Sequence, residues 1–96
     1  MLTIVKLALR ITTEAFDTEL NLLISDCLSE LAMLGINAEP TTVGETPVYD
    51  PQIQTTVIAY CKWKFGNNES KDDWQRIYHE KLGQLKVASG YQLEVD

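Results

Sequence analysis

Apolar residues recur at helical spacing in four stretches of this chain. The clearest spans residues 17–34, where Leu20, Leu23, Ile24, Cys27, Leu28, Leu31 and Leu34 follow the i, i+3, i+4, i+7 rule and Asn21, Ser25, Asp26, Ser29 and Glu30 fall off the stripe. Asp17 is the expected N-cap, Glu19 suits the positive end of the helix dipole, and Gly35 supplies the stop. A shorter helix is expected over residues 3–10, capped by Thr3, with Leu2, Val5 and Leu9 on one face. Thr12 and Thr13 make 11–16 a turn.

A third helix is expected over 51–65. Asp50-Pro51 is an N-cap followed by proline at the first helical position. Ile53, Val57, Ile58, Ala59, Tyr60, Cys61, Trp63 and Phe65 make it apolar on almost every side, so it needs burial by its own domain or by a partner. Lys62 and Lys64 can carry their charges outward on apolar stems. The fourth helix is expected over 71–89, opened by Ser70 with Asp72 and Asp73 in its first turn. Its stripe is Trp74, Ile77, Tyr78, Leu82, Leu85 and Ala88, closed by Gly90. Residues 36–50, punctuated by Pro40, Gly44 and Pro47, read as a long acidic loop. The tail 91–96 alternates, with Tyr91, Leu93 and Val95 on one side. The expected fold is therefore all-α: one domain over 1–96, a small bundle of about four helices with a long loop after the second and a short extended C-terminal tail.

A chain of 96 residues has room for one modest core. Its net charge of −6 disfavours a free nucleic-acid binder, because phosphate contacts need clustered cations. The charge is uneven: residues 1–50 hold eight acidic and two basic groups, whereas 51–90 hold four acidic and six basic. Solvated helix faces account for this plainly; the alternative is that unlike patches of neighbouring subunits meet. The N-terminus lacks a charged leader region before its apolar stretch, and no run is long enough to span a bilayer, so an intracellular protein is expected.

No catalytic constellation emerges. Cys27 and Cys61 lack metal-site spacing and read as buried thiols. His79, the single histidine, has no nucleophile or orienting carboxylate at helical spacing, and Asp72-Asp73 reads as dipole compensation rather than a metal pair. No phosphate-cradling glycine loop occurs. No enzyme activity, metal or cofactor is expected. Tyr60–Phe65 interleaves aromatic and basic residues, which suits single-stranded nucleic acid, but in a helix the aromatics read as core or as an interface anchor and the lysines as rim.

Three stretches carry a family resemblance. The start LTIVKLALRITTEAFD puts a short helix before an "LRI" turn and an acidic residue ahead of the next helix. Residues 17–35 follow with Leu20, Leu23, Ile24, Leu28 and a closing glycine. The proline-led helix ending in Tyr60, Trp63 and Phe65, a polar turn, and a last helix through Trp74, Tyr78 and Leu85 to Ser89-Gly90-Tyr91 complete the pattern. The chain resembles the head–tail connector (DNA-packaging, neck adaptor) proteins of long-tailed bacteriophages and prophages. The resemblance implies a structural protein that forms a ring, a dodecamer matching the portal, between the portal of the DNA-filled head and the tail. The implied partners are its own copies, the portal protein and a tail or stopper protein. DNA would be passing cargo only, with no membrane involved, and assembly would place it in the virion neck from the host cytoplasm. Tyr49, Tyr60, Trp63, Trp74, Tyr91 and Leu93 are the candidate interface residues, with loop 36–50 and tail 91–96 as candidate contact segments. The alternative is a small phage-encoded regulatory or protein-binding module of inhibitor or antitoxin type, docking through Trp63 and Trp74.

Overall fold

The structure is a computed structural model that describes residues 1–65 and 70–88. Four helices run in chain order, α1 (Leu2–Leu9), α2 (Asp17–Met33), α3 (Pro51–Lys64) and α4 (Lys71–Ala88), with two short strands, β1 (Thr41–Val43) and β2 (Thr46–Val48), between α2 and α3. The all-α expectation holds for the core. The 36–50 loop is corrected in part, because its middle folds into an antiparallel hairpin pairing Thr41 with Val48, Thr42 with Pro47 and Val43 with Thr46. Gly44 and Glu45 make the two-residue turn. Gly44 has φ 64° and Glu45 is not left-handed, the sign pattern of a type II′ turn.

Helix α3 is the centre of the bundle and packs on α1, α2 and α4. This explains its nearly all-round apolar surface: Ile53, Val57, Ala59, Tyr60 and Cys61 are buried on different sides of it. Thr56 is buried too, because its hydroxyl donates to the Gln52 carbonyl one turn back, 2.7 Å away. The α2 stripe supplies Leu20, Ile24, Cys27 and Leu31, α4 supplies Tyr78, Leu82 and Leu85, and α1 supplies Val5. Leu23, Leu28, Leu34, Trp74 and Ile77 pack half-buried around this core.

The helix ends show where local chemistry decided and where tertiary contacts overrode it. The Asp50 cap forms as expected, with Oδ1 accepting from the Gln52 N–H at 2.8 Å. Thr3 is not a cap: α1 begins at Leu2 with Met1 before it. Asp17 is not a cap either; it is the first residue of α2, and its carboxylate is taken by Lys6 of α1 at 2.8 Å. A partly buried ion pair to another helix outcompetes the local backbone bond at this position.

Two helices end alike. The Ile36 N–H reaches the Leu31 carbonyl (2.9 Å) and the Gly35 N–H the Ala32 carbonyl (3.0 Å), with Gly35 at φ 80°. At the end of α1 the Ile11 N–H reaches Lys6 (2.9 Å) and the Arg10 N–H reaches Leu7 (3.2 Å), with Arg10 at φ 60°. Both are Schellman motifs, which favour glycine at the left-handed position. The "LRI" turn puts an arginine there, at a cost of roughly 1 kcal/mol. Gly90 and residues 91–96 lie outside the described residues.

Candidate functional site

Two polar pins hold α3 and α4 to α2. Asp26 and Glu30 lie one turn apart beside its apolar stripe. The Tyr60 hydroxyl of α3 donates to the Asp26 carboxylate, and the Tyr78 hydroxyl of α4 donates to Glu30 Oε1 at 2.8 Å. Burial, then these hydrogen bonds, push both phenols well above the ordinary tyrosine range. The Cys27 thiol donates weakly to the Tyr78 oxygen at 3.9 Å. Burial pushes Cys27 and Cys61 each up to about 12, so both are inert thiols at neutral pH.

The aromatic residues split into two groups. Trp63 joins Tyr60 and Tyr78, with ring centroids 5.8 Å away in each case, and His79 also lies 5.8 Å from it. The Lys64 ammonium sits 4.0 Å above the Trp63 ring. Trp74 instead lies under the Lys62 ammonium, 4.4 Å from its ring centre. Lys62 and Lys64 thus lie over aromatic rings at the rim, an arrangement stabilised by cation–π attraction.

These positions separate the candidate interface residues. Tyr60 is a core residue, 3% exposed, and ties α3 to α2 rather than facing outward. Trp63 and Trp74 are half-buried and have different ring and cation partners. Tyr49 is half-buried beside α2, in a groove of about 240 Å³ lined by Leu28, Ala32, Ala38, Glu39, Pro40 and Tyr49. Tyr91 and Leu93 lie outside the described residues.

A second cleft, of about 250 Å³, lies at the other end of α3. Among the described residues Ala8, Leu9, Arg10, Lys62, Ser70 and Trp74 line it, none of them a carboxylate. The αL conformation of Arg10 turns the chain at its rim. Residue-by-residue reading gave Arg10 no role, because only the three-dimensional fold joins it to Lys62, 52 positions on. The hairpin is the other feature without a counterpart in the sequence reading. All six of its strand residues are exposed, Val43 at 65% and Val48 at 44%.

The surface elsewhere carries Leu7, 74% exposed, Leu22, 66%, and Met33, 86%. Among the described residues no group of three or more His, Cys, Asp or Glu could hold a metal, and no helix is long and apolar enough to cross a membrane. What the arrangement offers is surface for docking: two grooves of opposite charge character and a projecting hairpin. A family model described as phage connector protein matches residues 1–92. No curated protein and no solved structure gives a match.

Proposed function

This chain belongs to the phage connector protein family, the structural proteins of the head–tail junction, and from that premise we propose that it is one subunit of a ring adaptor in the virion neck. In this reading the ring sits under the portal of the filled head, completes the head, and presents a docking surface to the tail or to a stopper protein. It is built in the host cytoplasm and works without catalysis or cofactor. The observation that carries the reading is the family match over nearly the whole chain, residues 1–92.

The architecture supports it. A ring is closed by heterologous contacts, in which one face of each subunit meets a different face of the next. The two ends of α3 differ in shape and charge, with a hairpin and Glu39 at one and Arg10 with Lys62 at the other. The net charge of −6 keeps passing DNA from adhering, since like charge opposes phosphate contact.

The test is deletion of the reading frame in the phage or prophage that encodes it, followed by electron microscopy of the lysate. Free tails beside heads that have lost their DNA are expected. Normal joined virions would refute the connector reading and favour a small protein-binding module.

A further inference from the structure

We propose that the hairpin of one copy docks in the Arg10 cleft of the next, with the tip carboxylate of Glu45 paired to the Arg10 guanidinium. The inference rests on the ring reading above and names the contact that closes the ring.

Among the described residues nothing covers the hairpin. A two-stranded hairpin is marginal in water on its own, and this one leaves every strand residue exposed. Its pairing decides how it can bind. In a two-residue hairpin the pair next to the turn, Val43 and Thr46, exchanges the ladder hydrogen bonds. The next pair, Thr42 and Pro47, therefore points its backbone groups outward. Pro47 has no N–H to offer on the β2 edge, and Pro40 occupies the equivalent outward place on the β1 side. Proline at both edges blocks strand addition. What remains for docking is a face and a tip. Thr41, Val43, Thr46 and Val48 share one face, since directly paired residues and their i+2 neighbours point the same way. Glu45 stands at the tip.

The cleft at the other end is complementary. Ala8, Leu9 and Trp74 give it apolar walls, and exposed Leu7 lies one residue from its rim. Arg10 supplies the charge; among the described residues it has no ion-pair partner. Residues 35–50, by contrast, hold Glu39, Glu45 and Asp50 and no lysine or arginine. The same chain cannot join its own hairpin to its own cleft. Asp50 ends the hairpin stem and caps the start of α3, whereas Lys62 lies about 16 Å along the helix from Pro51, at 1.5 Å per residue. In this proposal the hairpin carboxylate that meets Arg10 is supplied by a second copy. A contact between opposite ends of two identical subunits is heterologous, and repeating it by rotation makes a ring.

The test is complementation of the deleted frame with charge variants, read as phage titre. Arg10→Glu and Glu45→Arg should each lower titre about tenfold or more, and the Arg10→Glu/Glu45→Arg pair should recover to within about threefold of the original. Arg10→Gly separates assembly from folding. Glycine is at ease in the left-handed position, so purified Arg10→Gly should melt no lower than the original and still fail to complement. Single reversals without effect, or a double variant no better than the singles, would overturn the proposal. So would loss with Arg10→Glu alone and none with Glu45→Arg, which would assign the cleft to a carboxylate of another neck protein. If the deletion itself leaves titre unchanged, the ring reading fails instead.

Discussion

Removing one oxygen atom, by Tyr78→Phe, should measure what the polar pins contribute. The ring stays in place, so packing is nearly unchanged. The lost group is a fully buried hydroxyl that donates to Glu30 Oε1 at 2.8 Å and accepts from the Cys27 thiol. A hydrogen bond to a charged partner contributes about 1.5–3 kcal/mol. Glu30 is only half-buried, so water can solvate its carboxylate once the phenol is gone, and the lower half of that range applies. About 2 kcal/mol in a domain of this size corresponds to a melting temperature roughly 8–16 °C lower. The assay is thermal unfolding at pH 7 followed by far-ultraviolet circular dichroism, with Tyr78→Phe, Glu30→Gln and the double variant compared. Because both substitutions act on one bond, the double variant should cost clearly less than the two singles added together. A Tyr78→Phe melt within about 2 °C of the original, or strict additivity, would refute the claim that this bond pins α4 to α2.

Three further outcomes follow from the same core. Tyr60 and Tyr78 have folded-state values raised above the ordinary tyrosine value of 10, so their contribution is fully present below pH 10 and is lost as pH rises beyond it; the melting temperature should stay level from pH 7 to about 9 and fall above about 10, and an equal fall in a Tyr60→Phe/Tyr78→Phe variant would count against this cause. With Cys27 and Cys61 buried and pushed up to about 12, iodoacetamide at pH 8 should leave both unmodified in the native protein and label both in denaturant, as read by mass spectrometry; a native singly labelled species would contradict the burial. Gly83 lies within α4, is exposed, and has open space where a Cβ would sit, so Gly83→Ala should stabilise by up to about 1 kcal/mol, and a lower melting temperature would disprove a helical, uncovered Gly83.

The helices were legible because each carries its own burial pattern. The seven-residue stripe of α2 and the Asp50-Pro51 start of α3 are local signals, and the fold uses them unchanged. Where a side chain had two possible uses, locality failed. Asp17 has the right chemistry for a cap, yet Lys6 from another helix takes its carboxylate. The hairpin was hidden for another reason. Gly44-Glu45 between two β-branched triplets is a hairpin signal, but Pro47 inside the second triplet argues against a strand unless the strand is an edge. In a two-stranded hairpin both strands are edges, so the proline fits. Of the candidate surface, Trp63, Trp74 and Tyr49 lie at grooves or half-buried rims, whereas Tyr60 is absorbed by the core, because an aromatic suits an interface and a core equally well.

Arg10 shows how the unread part of the site is tied to the readable part. Gly35 and Arg10 occupy the same position of the same helix-ending motif, at φ 80° and 60°. At residue 35 the chain uses the amino acid that the backbone prefers. At residue 10 it accepts roughly 1 kcal/mol of backbone strain to keep a long cation. Among the described residues the fold gives no return for that exchange, since the Arg10 side chain is exposed and joins no ion pair there. A strained residue that its own domain does not reward is rewarded elsewhere or is neutral baggage. The cleft offers a use for it, because Arg10 lines the same cleft as Leu9 and Trp74, at the end of α3 remote from the acidic hairpin. On the proposed ring contact, the strain is a local cost of the folded subunit and the gain would belong to the assembled ring. The gain from Arg10→Gly in isolated subunits and its loss in virions are therefore two readings of one exchange.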